Sequence, residues 1–195
     1  MSGQDREAQA GFFIAIVGAS GVGKDSLIRA IRQTLQEDAF YFPQRIVTRA
    51  PDAHEANLFM QPEEFEKSAA RGDFALAWSA NGYSYALPDN VGLAIRAGRH
   101  VVANLSRRVI PVLRGMFPRV LVVHVMADHS IIAARLAARG REDQCEREAR
   151  VQRGLILDDE VHADLRIENN GALDDGVERL RAVLSHLPHG SAVAR

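Results

Sequence analysis

The sequence is poor in cysteine, in tryptophan and in net charge, with a single Cys, a single Trp and a formal charge of −1. One thiol, Cys145, cannot close a disulfide within the chain or build a multi-cysteine zinc site. A disulfide-stapled secreted scaffold is thereby excluded, and a reducing, cytoplasmic setting is expected. Lys and Arg number 24 against 25 Asp and Glu. A general nucleic-acid binder needs excess cations to meet phosphate, so no nucleic-acid partner is expected. Long hydrophobic runs are missing as well. The longest, 12–17 and 120–126, are far short of the ~20 residues that cross a bilayer. Residues 1–10 are polar and lack the apolar stretch of a signal peptide. No membrane partner is expected. The histidines show no metal-ligand spacing, and His124 reads as a core residue of a buried strand.

What is present is an ordinary globular composition, 47% hydrophobic and 25% charged over 195 residues. That length suits one compact domain with a small insert. Phe12-Phe13-Ile14-Ala15-Ile16-Val17, closed by Gly18, has the continuous apolar character of a strand buried on both faces. Leu27, Ile28, Ile31 and Leu35 recur at helical spacing over 24–36. Further strands are predicted at 44–49, 74–78, 100–104, 119–126 and 164–168. Helices are predicted from 62, at 89–96, 107–117, 128–139, 143–155 and 173–187. Asn81-Gly82 is a turn, and Asp128 caps the helix that Gly140 closes.

Strands alternating with helices imply an α/β fold, a mostly parallel sheet flanked by helices in three layers. In such sheets ligands sit at the carboxyl ends of the strands, so functional residues are expected just after Val17, Thr48, Ala103 and Met126.

Gly18-Ala19-Ser20-Gly21-Val22-Gly23-Lys24-Asp25-Ser26 follows the first strand and opens the first helix. This is the glycine-rich phosphate loop with one departure. Glycines let the backbone curl with its N–H groups inward, where they and the positive helix end hold a β-phosphate. Lys24 reaches the β- and γ-phosphates. The duller reading is a glycine turn with an exposed lysine; the strand before and the helix after favour the nucleotide. The departure is Asp25, where the usual pattern has a Ser or Thr that touches magnesium. Either Ser26 takes over that role or the Asp25 carboxylate binds the metal, directly or through water. A purely helix-stabilising Asp25 is the competing reading.

The same loop, with Val47-Thr48-Arg49, Glu63-Glu64-Phe65, Gly82-Tyr83-Ser84-Tyr85 and Arg135-Leu136-Ala137-Ala138-Arg139-Gly140 plus Arg150, resembles the guanylate-kinase-like group of P-loop phosphotransferases. The resemblance runs from 12 to about 187. Lys24-Asp25-Ser26-Leu27, Phe74 through Trp78 to Asn81-Gly82, and Asn104-Leu105-Ser106-Arg107 are similar to the ribose 1,5-bisphosphate phosphokinases within that group. The resemblance implies a P-loop fold with core 11–49, 88–127 and 156–187, an acceptor-binding insert 50–87, a helical lid 128–155 and mobile tails 1–10 and 188–195. It implies ATP as co-substrate with Mg2+, a phosphorylated pentose as acceptor, 5-phosphoribosyl 1-diphosphate as product, and a place in phosphonate breakdown. It further implies that Gly18 to Ser26 and Arg135 bind ATP and that Lys24, Arg139 and Arg150 neutralise the transferring charge. Asp25 and Ser26 would serve the metal, and Arg49, Tyr83, Tyr85, Asn104, Ser106 and Arg107 the acceptor. A homodimer is left open.

Departures from a guanine-reading site are informative. Ala77 stands where an acid would precede Trp78, and Asn104 and Ser106 replace an acidic pair. Losing carboxylate acceptors for guanine N–H groups removes steep polar discrimination, so guanine is expected to be a poor acceptor. A family arginine after Arg49 is missing near Ala53-His54, and Arg107 and Arg45 are candidates for the second phosphate. Transfer to an anionic phosphate oxygen needs no general base, only positioning and charge neutralisation. The competing readings are a nucleoside monophosphate kinase of altered base preference and a non-catalytic domain that kept the fold.

Overall fold

The computed structural model describes residues 10–36, 38–50, 57–139 and 161–188. Its elements are β1 (Phe13–Val17), α1 (Lys24–Arg32), β2 (Phe40–Tyr41), β3 (Ile46–Val47), β4 (Leu58–Phe59) and α2 (Pro62–Arg71). They continue as β5 (Phe74–Ala80), β6 (Tyr83–Pro88), α3 (Asn90–Arg96), β7 (His100–Asn104) and a 3-10 turn at Arg107–Val109. The remainder are α4 (Ile110–Met116), β8 (Val120–Met126), α5 (His129–Arg139), β9 (Leu165–Glu168) and α6 (Leu173–Leu184). The predicted helix 143–155 lies outside the described residues, as do Ala53-His54 and both tails. Among the described residues no helix is long and apolar enough to cross a membrane.

Five strands form one mostly parallel sheet in the order β2-β7-β1-β8-β9, with β2 parallel to β7 and β8 parallel to β9. A second sheet has the order β4-β3-β6-β5. Every residue of β1 and of β7 is buried, as their unbroken apolar character requires. The chain divides into two compact units. One takes in the described residues of Met1–Phe13 and Gln36–Val102, the other Ile14–Leu35 and those of Ala103–Pro188.

In the first unit the antiparallel hairpin β5–β6 turns at Asn81-Gly82, both with positive φ, as a two-residue hairpin turn needs. Phe65 of α2 packs with Ile46 and Ala86, and the Phe65 and Phe74 rings lie 4.9 Å apart. Helix α2 begins at Pro62 with Glu63 and Glu64 in its first turn, where both residue types are favoured.

The stretch predicted as the second strand of the main sheet, 44–49, belongs elsewhere. Its two strand residues, Ile46 and Val47, pair with Ala86 and Tyr85 of β6 and with β4. The main-sheet strand is β2, paired at Phe40↔His100. Arg99 anchors it: its guanidinium donates to the Phe40 carbonyl at 2.9 Å and lies over the Tyr41 ring.

In the second unit α1 buries Leu27 and Ile31. It ends at Arg32, short of the predicted 36, because Thr34 claims the Ile31 carbonyl with both its N–H and its hydroxyl. The predicted helix 107–117 opens as the 3-10 turn and becomes α-helical at Ile110, with Pro111 in its first turn.

Candidate active site

The loop after β1 is in the second unit. Gly18, Gly21 and Gly23 all have positive φ, 144°, 89° and 96°. Ala19 and Val22 are buried, so the loop is packed in place rather than exposed as a simple turn. Gly23 is the residue before α1 and Lys24 its first. The Lys24 ammonium donates back to the loop's own carbonyls, at 3.0 Å to Gly18 and 2.8 Å to Ala19. It is thereby held against the loop itself.

Asp25 and Ser26 follow in the first turn of α1, both half-buried. The amide of Asn104, at the end of β7, donates to Asp25 Oδ1 at 2.8 Å. These are hard oxygen donors of the kind Mg2+ accepts. Among the described residues no group of three or more His, Cys, Asp or Glu could hold a metal by itself. That donor set fits a magnesium ion that takes most of its ligands from phosphate and water, and not one caged by protein.

The turn after β9 grips the loop from another side. Asn169, 6% exposed, donates its amide to the Val22 carbonyl at 2.7 Å, and its own N–H goes to Met126. A Cβ on Gly23 would strike that Asn169 amide, which explains the glycine there independently of its φ. Arg135 of α5 also points at the Val22 carbonyl, at 3.4 Å. Next along, Asn170 and Asp128 are joined reciprocally. The Asp128 N–H donates to Asn170 Oδ1 at 2.7 Å, and Asn170 Nδ2 donates to Asp128 Oδ1 at 3.0 Å. Two consecutive asparagines thus brace the phosphate loop and the start of the helix carrying Arg135.

Asn169→Ala is expected to leave the Val22 carbonyl without this donor in a buried setting, at about 1–3 kcal/mol of stability. Thermal melting should show a fall of several degrees, with a raised KM for ATP. An unchanged melting temperature and KM would remove the bracing role.

The residues matched to the acceptor insert are in the first unit. Arg49 lies over the Tyr83 ring, 5.9 Å from its centroid, and Tyr83 is 39% exposed. Tyr85 is buried and stacked on Trp78 with ring centroids 5.6 Å apart. Thr48 and Ser84 clamp the base of this group: the Ser84 N–H donates to the Thr48 hydroxyl and the Thr48 N–H to the Ser84 carbonyl. Arg45 donates to Asn57 at 3.2 Å. Ser106 and Arg107 are half-buried in the second unit, just past β7.

Of the lid residues, Arg135 is placed as above. Arg139 ends α5, and its side chain, with Gly140, Arg141, Cys145, Arg147, Arg150 and Arg153, lies outside the described residues. Sequence reasoning found the loop and singled out Asn104 and the Asn169-Asn170-Gly171 turn, but not the bonds these asparagines make to Asp25, Val22 and Asp128. Asn104, which the family resemblance assigns to the acceptor, contacts Asp25 through its amide NH2. Asn169-Asn170-Gly171 reads in the sequence either as a plain turn or, by the family resemblance, as a segment bordering adenine.

No family model matches the chain. Individual relatives do. The chain is 41% identical over 181 residues to a ribose 1,5-bisphosphate phosphokinase PhnN of Rhodopseudomonas palustris, covering 92% of this chain and 90% of that one. It is 43% identical over 175 residues to a protein of the same name from Methylobacterium radiotolerans, covering 89% and 97%. Among solved structures, a guanylate kinase from Anaplasma phagocytophilum superposes with a TM-score of 0.69 at 15% identity, covering 90% of this chain and 85% of that one. At that identity the likeness concerns the fold, an α/β P-loop sheet flanked by helices. Long matches at about 40% identity over both full lengths establish descent, and the chain belongs to the ribose 1,5-bisphosphate phosphokinase PhnN family.

Proposed function

We propose that this chain uses ATP to phosphorylate the 1-phosphate of ribose 1,5-bisphosphate, giving 5-phosphoribosyl 1-diphosphate and ADP, as part of phosphonate breakdown. The observation that carries the reading is the packed phosphate loop with Lys24 folded over it, in a chain whose full-length relatives bear that kinase name.

The reaction joins an oxygen of the acceptor's 1-phosphate to the γ-phosphorus of ATP and breaks the bond from that phosphorus to the β,γ-bridging oxygen. The attacking oxygen is already anionic, so the protein's work is alignment and charge neutralisation. Loop amides from Gly18 to Lys24 hold the β-phosphate. Lys24 leaves the Gly18 and Ala19 carbonyls for the β- and γ-phosphates. Asp25 and Ser26 would hold magnesium, which when bound would offset charge on the phosphate oxygens. Arg135, Arg139 and Arg150 add cations at the nucleotide. Arg49, Tyr83 and Tyr85 bind an acceptor phosphate, with Ser106 and Arg107 as further acceptor groups. Arg49 is well suited to this, because a guanidinium forks onto two phosphate oxygens and here its plane is steadied by a ring.

A coupled assay of ADP release tests the reading. Ribose 1,5-bisphosphate should turn over with kcat/KM at least about 10³-fold above GMP or AMP, as expected where polar base recognition is missing. GMP turning over as fast as the sugar bisphosphate would overturn it in favour of a nucleoside monophosphate kinase. No ADP release with any acceptor would overturn it in favour of a binding domain.

A further inference from the structure

In P-loop enzymes at large, magnesium is served by a loop Ser or Thr together with an Asp carried on a strand. In this chain the position after the loop lysine holds the acid, Asp25, and the buried end of a sheet strand holds a neutral amide, Asn104. Asn104 is 8% exposed on β7, whose residues are all buried, and it donates to Asp25 Oδ1 at 2.8 Å. The sense of the bond is fixed by chemistry. A carboxylate only accepts, so the amide must present its NH2 group. The amide belongs to a rigid strand and the carboxylate to the first turn of a helix. The strand therefore sets the direction in which the carboxylate is held.

We propose that Asn104 is a positioning residue for Asp25, orienting its carboxylate toward the magnesium of MgATP, and that the two positions have exchanged the usual placement of acid and neutral partner between loop and strand. The pair carries one negative charge, with the acid on the helix and the amide on the strand. This deepens the reading above, since it rests on Asp25 facing the metal. It assigns Asn104 a task that acceptor binding does not require.

The test uses full-length protein with a non-hydrolysable ATP analogue and Mn2+ as the probe, read by electron paramagnetic resonance. Analogue affinity without metal is measured separately by calorimetry. Partners that orient a metal ligand typically alter metal affinity about 10–100-fold. Asn104→Ala should weaken Mn2+ in the ternary complex by about that factor, and raise the KM for Mg2+ more than it lowers kcat, while metal-free analogue binding changes less than about threefold. Asp25→Ser alone should weaken it too. The exchange Asp25→Ser with Asn104→Asp restores one acid and one neutral oxygen donor, and should recover Mn2+ affinity to within about tenfold of the parent.

A double variant no better than the worse single one overturns the exchange, as does an Asn104→Ala protein with parental Mn2+ affinity. Variants that differ from the parent only in melting temperature also overturn it. A parent chain that binds neither the analogue nor Mn2+ overturns the ATP-site reading beneath it, a failure the metal-free calorimetry identifies by itself.

Discussion

Lys24→Ala is expected to lower kcat about 10³-fold, the scale seen when a preorganised charge partner of the transition state is removed. The Lys24 ammonium bonds the Gly18 and Ala19 carbonyls at 3.0 and 2.8 Å. These are backbone acceptors of the same loop, and they keep the cation close to it. Phosphate oxygens carry far more charge than carbonyls and should draw the ammonium away on binding. Truncation removes that cation from the β- and γ-phosphates just as negative charge is redistributed between them. The loss in folded stability should be about 1–3 kcal/mol, because the carbonyl of the buried Ala19 loses this donor. Lys24→Arg keeps the charge but not the compact donor, and should still lose about 10²-fold. Steady-state kinetics with ribose 1,5-bisphosphate, set beside thermal melting, separate the two effects. A Lys24→Ala enzyme within tenfold of the parent would remove the phosphate-loop assignment.

The sequence reveals this loop because its signals are local. Six apolar residues end at a glycine, a lysine follows the third glycine of the loop, and Leu27 and Ile31 then mark a helix. Strand β7 is equally plain, since His100 to Ala103 is short, apolar and closed by the polar Asn104. Strand β2 is hidden, being two residues long and held in register by an Arg99 that lies far along the chain. Strand β6 is masked by its Tyr-Ser-Tyr start, which has the alternation of a half-exposed strand but no branched residues. The bond of Asn104 to Asp25 joins positions 79 apart, and that of Asn169 to Val22 positions 147 apart. Neither leaves a mark in local pattern. The loop is legible because the glycine-rich phosphate loop is a fixed local motif. The contacts of Asn104 and Asn169 are not, because any strand end brought near by the fold could supply such an amide.

Gly18→Ala should be the most damaging single-methyl change in the second unit, at about 3 kcal/mol or more. Two effects add. The φ of 144° is one that side-chain-bearing residues rarely adopt. The new Cβ would also lie under 3.0 Å from the Val125 carbonyl oxygen, and 3.2 Å from Val22 Cγ2. Val125 is a buried residue of β8, which adjoins β1 in the sheet, so its carbonyl cannot retreat without disturbing the strand pairing. Relief must come from the loop, by rotating the peptides whose N–H groups cradle phosphate. Activity should therefore fall together with stability. Melting is expected to drop by about 6–12 °C, at roughly 2–4 °C per kcal/mol for a chain of this size. Below that temperature the KM for ATP should rise by at least about tenfold, the equivalent of roughly 1.4 kcal/mol of lost phosphate contact. Gly72→Ala separates the two causes. Gly72 has a positive φ of 76° but nothing within 4 Å of the added methyl. It should lose only about 1 kcal/mol and leave the KM for ATP untouched. Equal losses at the two sites would mean that backbone conformation alone accounts for Gly18, and that the carbonyl of β8 does not hold the loop in its phosphate-ready shape.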